Sequence, residues 1–163
     1  SIDTAPNYEG EPITLGEILQ NEEEVPEKFF INDPAKLEKF QYLRGPKRIE
    51  RTSADGHTYI YSEGGMSPTD DLNLPGRTML TSEGTVNRST HFLYVNGRYR
   101  LITPVEAERL QDFPDNWTAL KRLSDGTVTE VSDKMRMFFM GNALVTEIVR
   151  KIAEFIVEID IAE

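Results

Sequence analysis

An α+β fold is predicted for this chain of 163 residues, on three observations. First, His91-Phe92-Leu93-Tyr94-Val95 and Arg98-Tyr99-Arg100-Leu101-Ile102 are β-prone runs joined by Asn96-Gly97. That dipeptide supplies the two positive-φ positions of a two-residue hairpin. Second, Thr103-Pro104-Val105-Glu106 follows at once. It is a capping box with proline at the first helical position, where its missing N–H costs nothing. Third, Leu144, Ile148, Ile152, Ile156 and Ile159 recur every three or four residues, the period of an amphipathic helix.

The remaining elements follow in chain order. Ser1 to Pro12 is polar, contains two prolines and reads as an extended lead-in. Thr14 and Glu17 form a first capping box, and with Leu15, Ile18 and Leu19 they predict a brief helix over 14–20. Glu22-Glu23-Glu24 reads as a solvated loop. Leu37, Phe40 and Tyr42 predict a short helix over 34–42, which Gly45-Pro46 ends. Thr58 to Tyr61, after the turn residues Asp55-Gly56, reads as a strand, and 62–76, rich in Gly, Pro, Ser and Asp, as a loop. Thr78 to Thr81 is expected to be a short strand and Ser82 to Thr90 a polar loop. The helix that starts at Thr103 must stop before Pro114. Residues 115–131 read as irregular, with Trp117 as an anchor and a turn at Asp125-Gly126. Asp133 to Met140 is expected to be helical, with an interruption at Gly141-Asn142.

Composition excludes several kinds of chemistry. The chain has no cysteine, so it can supply no disulfide, cysteine-based zinc site, iron–sulfur ligand or thiol nucleophile. Its two histidines, His57 and His91, lie in different segments, and no metal site is expected. No apolar run approaches the roughly 18–20 residues of a membrane span and no signal peptide opens the chain, so a cytoplasmic protein with no membrane role is expected. The net charge of −10 is unevenly spread. Residues 1–40 hold three Lys against ten Asp and Glu. Residues 41–109 hold nine Lys and Arg against eight acids, and 110–163 hold six against ten. The arginine-rich middle, with its Ser, Thr and Asn, suits phosphate and base-edge contacts. Ordinary solvated loops, or a protein-interaction domain with no DNA role, fit the same composition.

Motifs narrow the choice. Residues 100–117 resemble the ninth motif of the DNA cytosine-5 methyltransferases, at Arg100, Leu101, Thr103, Pro104, Glu106, Arg109, Leu110, Gln111, Phe113, Pro114 and Trp117. Met140-Gly141-Asn142-Ala143-Leu144 resembles the tenth motif at the family's spacing. Arg77 to Gly84 is similar to the target-recognition segment that opens on a Thr-Leu pair, with Met79 in the leucine position after Thr78. The stretches 14–51 and 59–64 also resemble target-recognition regions of bacterial members. The family's Pro-Cys nucleophile, its cofactor-binding glycine loop and its Glu-Asn-Val and Arg-x-Arg segments have no counterpart here.

The resemblance implies the downstream part of such an enzyme, either an excised fragment or the smaller subunit of a split one. The start at Ser1 without Met favours the fragment. It implies a small, loop-rich target-recognition domain over 1–100 and a helical segment over 101–163 that rejoins the catalytic α/β domain. The whole enzyme would flip a cytosine out of the duplex, add a cysteine to its C6 and methylate C5 from S-adenosylmethionine, within a restriction–modification system. This chain alone is expected to be inactive, and a DNA-binding module without catalysis is the alternative. Double-stranded DNA would be held by Arg44, Lys47, Arg48, Arg51, Arg77, Thr78, Thr81, Ser82, Arg88, Ser89, Thr90 and His91, with Asn87 as a further candidate. Arg88 is the expected base reader. Asn142, Ala143 and Leu144 would line the cofactor pocket, and Arg100, Glu106, Arg109 and Gln111 would brace the structure through buried polar contacts. The partners implied are the catalytic domain or subunit and, through residues 144–159, a second copy of the chain.

Overall fold

The computed structural model describes residues 10–162. Among them are four α-helices and three separate antiparallel strand pairs, an α+β arrangement with no closed barrel. The extended lead-in falls largely on residues 1–9, and the stripe closes on the Ile159 side chain; both lie outside what is described.

Helix α1 spans Pro34–Arg44, two residues beyond its expected end. Asp33 caps it by accepting from the Ala35 N–H at 3.0 Å. Strands β1 (Lys47–Thr52) and β2 (Thr58–Glu63) form a hairpin in register from Lys47↔Glu63 to Thr52↔Thr58. Only β2 was legible in the sequence. The expected hairpin is β3 (Phe92–Val95) with β4 (Arg98–Leu101), and Asn96 and Gly97 take φ of 50° and 82° as the turn demands. Helix α2 (Pro104–Leu110) carries its capping box: Thr103 Oγ1 accepts from Glu106 N–H at 3.2 Å and Glu106 accepts from Thr103 N–H at 2.8 Å. A third hairpin, β5 (Leu120–Arg122) with β6 (Val128–Glu130), occupies the stretch expected to be irregular. Helix α3 (Asp133–Asn142) runs through the expected interruption, and Ala143 is the first extended residue after it. Helix α4 is Thr146–Ala162.

Other expectations need correction. The helix over 14–20 shrinks to a 3-10 turn at Gly16–Ile18. Glu22–Glu24 is a 3-10 turn rather than a free loop, because Glu22 accepts from Asn96 Nδ2 at 2.8 Å and faces Arg98 at 3.5 Å. Trp117 is 65% exposed, its ring tilted against Phe113 at 6.3 Å between centroids, so it lies at the surface rather than as a buried anchor. Residues 78–81 form no strand. Met79 is drawn into the core, and the last turn of α3 occupies the place a partner strand would take. A Cβ on Gly141 would come within 2.4 Å of the Leu80 carbonyl carbon and of the Thr81 nitrogen, so only glycine permits that approach.

The β3–β4 hairpin is the centre of the packing. On one face Phe92 stacks on Phe40 of α1, ring centroids 4.5 Å apart, with Ile31 beside them. On the other, Leu93 joins Leu15, Met79, Ile102, Ala107, Met137 and Met140. A one-residue slip of β3 would exchange these faces, so burial on both sides fixes the register.

Candidate nucleic-acid interface

Placement of the arginines depends on where carboxylates lie. Arg44 is 1% exposed. Its guanidinium donates to Asp70 Oδ2 at 2.7 Å, to Thr90 O at 2.8 Å and to Ser67 O at 3.1 Å. Arg77 donates to the same carboxylate and to Ser89 O, and the Phe92 N–H reaches Asp70 at 2.8 Å. Burial pushes the Asp70 carboxyl upward, but the hydrogen bonds from Arg77, Arg44 and the Phe92 amide outweigh it and hold it below the usual range. Arg44 is therefore corrected from a surface contact to the middle of a buried ion cluster, where a phosphate cannot reach it.

Four further candidates, Arg88, Lys47, Thr90 and His91, are committed elsewhere. Arg88 lies against Glu63 at 2.7 Å and donates to the Gly64 carbonyl, so it ties the 82–90 loop to the end of β2. Lys47 shares that acid at 2.9 Å and also donates to Leu43 O. Lys47 and Arg88 together keep the Glu63 carboxyl below its ordinary range. Thr90 and His91 are buried: the Thr90 hydroxyl donates to Thr85 O at 2.6 Å, and Glu83 accepts from the His91 N–H at 2.6 Å and lies 3.1 Å from its Nδ1. The expectation that these two side chains face DNA is likewise corrected. Asn87 spends its amide on the turn, donating to Ser82 O at 3.0 Å and accepting from the Ser89 N–H at 2.8 Å.

What remains outward is a smaller set. Thr78, Thr81 and Ser82 are exposed on the turn beside Gly141, and Ser89 is half-buried. Arg48 and Arg51 are exposed on β1. Among the described residues, Arg48, Arg51 and Arg122 are the arginines without a carboxylate partner, and all three stand on the β1–β2 and β5–β6 hairpins.

The other motif residues sit where bracing was expected. Arg100 and Glu106 form a buried bidentate pair. Arg109 donates to Ile18 O and Leu19 O, and Gln111 to Met140 O, each at 3.1 Å. Glu108, which the sequence did not single out, is fully buried and accepts from Arg136 and from the Asn116 and Thr118 N–H groups. Asp70, Glu83 and Glu108 carry no helix-turn or capping signal, because their partners lie seven or more residues away along the chain.

Asn142, Ala143 and Leu144 follow the glycine contact. Asn142 is exposed and donates one amide N–H to Phe138 O at 2.9 Å, with no hydrogen bond to its Oδ1 among the described residues. Ala143 packs on the main core, and Leu144 is 73% exposed. A groove of about 490 Å³ runs from Thr78 and Gly141 past Leu144 to Ile148 and Ile152. On α4, Ile148, Ile152, Phe155, Ile156 and Val157 are more than half exposed. No helix among the described residues is long and apolar enough to cross a membrane.

Buried polar contacts at Arg100, Glu106 and Gln111, the last donating to Met140 O beside the tenth-motif segment, fit the bracing that the resemblance implied, and sequence comparison agrees with the family. The profile of C-5 cytosine-specific DNA methylases matches residues 7–158, and the chain belongs to that family. It is 54% identical over 160 residues to the Type II methyltransferase M.Sau3AI of Staphylococcus aureus, a match that takes in 98% of this chain. The chain spans 35% of that relative's length. No solved structure matches it significantly.

Proposed function

We propose that this chain is the DNA-recognition and C-terminal portion of a DNA cytosine-5 methyltransferase of a restriction–modification system, working in the cytoplasm on double-stranded DNA. One juxtaposition carries the reading: a family match over residues 7–158 in a chain with no cysteine. The family's nucleophile then belongs to a catalytic portion outside these residues, and this chain alone transfers no methyl group. Flipping a cytosine costs a few kcal/mol of stacking and pairing, which contacts to the DNA backbone and neighbouring bases offset. Arg48 and Arg51 on β1, with Thr78, Thr81 and Ser82 beside Gly141, provide such contacts. Arg77, Lys47, Arg88 and Ser89 hold those elements in place.

S-adenosylmethionine supplies the methyl group when bound. The free Asn142 Oδ1 and the exposed Leu144 fit one wall of its site, a polar edge beside an apolar one, with Ala143 fixing that wall to the core. The remaining walls belong to the catalytic portion. The same portion covers the apolar face of α4, since an exposed patch of that kind marks an interaction surface; in its absence a second copy takes the place through residues 144–159.

Duplex binding at 50 and 200 mM salt tests this chain's share. Each free arginine that meets a phosphate contributes about −0.9 to the slope of log K against log salt, a loss of about 3.5-fold over that range. Absence of binding, or binding insensitive to salt, contradicts the recognition role.

A further inference from the structure

Resting on the recognition role just proposed, we infer that the β1–β2 hairpin is the groove-reading element of this chain, and that Arg51, held over Tyr61, reads a guanine edge. The hairpin is built unlike the other two. Its strands are six residues each, roughly 20 Å at the rise of an antiparallel strand, and nearly every side chain from Arg48 to Ser62 is exposed or half-exposed. Neither face lies on a core, so folding does not explain why the ribbon extends. A two-stranded ribbon exposed on both faces is the shape that B-DNA's major groove admits.

The base of the ribbon is fixed. Glu63 at the end of β2 is shared by Lys47 and Arg88 at 2.9 and 2.7 Å, which clamps the hairpin to the 82–90 loop. The far end is the turn at Asp55-Gly56, where Gly56 has φ of 85°.

Strand alternation divides the two free arginines. Arg48 shares one face with Glu50, Ile60 and Ser62, so a carboxylate sits two residues from it. Arg51 lies on the other face with Ile49, Tyr59 and Tyr61. The acid on that face, Glu63, is already neutralised at the base. The Arg51 guanidinium carbon lies 4.0 Å from the centre of the Tyr61 ring. Contact through the flat face leaves the in-plane N–H groups free, and a planar fork held by an aromatic loses less freedom on binding. Guanine O6 and N7 are the acceptors such a fork matches bidentately. Arg48, without a buttress and beside Glu50, meets a backbone phosphate instead.

The test selects binding sites for the full 163-residue chain from a randomised duplex pool, then measures affinities of Arg51→Lys, Tyr61→Leu and Arg48→Ala on the selected and point-changed duplexes. Arg51→Lys keeps the charge and lies on an exposed ribbon, and thermal melting checks that each variant folds. Arg51→Lys loses roughly tenfold to a hundredfold of the preference at one guanine position, the range for one bidentate contact. Tyr61→Leu loses part of the same preference at the same position. Arg48→Ala lowers affinity alike on every duplex. Retention of the full wild-type preference by both Arg51→Lys and Tyr61→Leu overturns the assignment while the recognition role stands. If the wild-type chain selects no sequence and binds no duplex, the recognition role itself fails, and the assignment with it.

Discussion

Arg100 of β4 and Glu106 of α2 face each other through two hydrogen bonds, Nη1 to Oε2 at 2.8 Å and Nη2 to Oε1 at 2.7 Å, with both side chains out of solvent. The same carboxylate accepts from the Thr103 N–H at 2.8 Å and from the Gln20 N–H at 2.9 Å. One side chain thus joins the hairpin, the start of the helix and the N-terminal segment. Glu106→Gln leaves a buried guanidinium with half its partner, so it should cost about 3–5 kcal/mol of stability. Urea unfolding followed by circular dichroism measures this, and a loss under about 1 kcal/mol would show that the pair is dispensable.

Arg44 and Arg48, four residues apart, separate a structural from a functional arginine. Arg44→Ala leaves Asp70 with Arg77 and the Phe92 amide but removes the donor to the buried Thr90 and Ser67 carbonyls and empties a buried site, so a loss of about 3 kcal/mol is expected. Arg48→Ala removes an exposed side chain with no carboxylate partner among the described residues and should change stability by less than about 0.5 kcal/mol. Thermal melts of the two variants compare them directly; equal shifts would contradict the placement.

Acid should act through Asp70. Its carboxyl titrates below the ordinary aspartate value in the fold, about 3.9 in an unfolded chain. The stabilisation is therefore complete above about pH 4 and fades as pH falls from there through the lowered folded value. Asp70→Asn should remove that share of the acid dependence and be less stable at neutral pH. Stability curves of both proteins between pH 2 and 7 that run parallel would exclude Asp70 as the responsible group.

Gly141 offers a test of the link between the tenth-motif segment and the turn at Leu80 and Thr81. Alanine there places a carbon within 2.4 Å of the Leu80 and Thr81 backbone, which cannot turn aside as a side chain would. Overpacking of this kind costs typically about 1–3 kcal/mol. Gly141→Ala should also shift the amide signals of Thr81 and Ser82 in a two-dimensional NMR spectrum, and unmoved signals would mean that helix and turn are not in contact.

Local chemistry made parts of this fold legible. Asn96-Gly97 and the Thr103–Glu106 box each declare their geometry within four residues, and both elements are found where expected. Strand β1 was not legible because it has no buried face: Lys47-Arg48-Ile49-Glu50-Arg51-Thr52 offers no apolar alternation to detect. Thr78–Thr81 has a strand-like composition, yet the close contact with Gly141 comes from a helix some 60 residues away in sequence, which no window reveals. The interface was half legible for the same reason. A run of positive side chains shows that charge is present, but which members are neutralised depends on Asp70 and Glu63, and those acids meet their arginines only in three dimensions.

The central claim is that this chain gives a DNA cytosine-5 methyltransferase its grip and its choice of sequence without its covalent chemistry. Grafting the chain onto the catalytic portion of the Staphylococcus aureus relative, in place of the matching third, tests it most directly. Transfer of labelled methyl from S-adenosylmethionine to duplex DNA is then measured for the graft, for the catalytic portion alone and for this chain alone. The account predicts incorporation into cytosine by the graft and none by either part. Incorporation by this chain alone, or a graft that folds and stays inactive on a pool of all short duplex sequences, would contradict it.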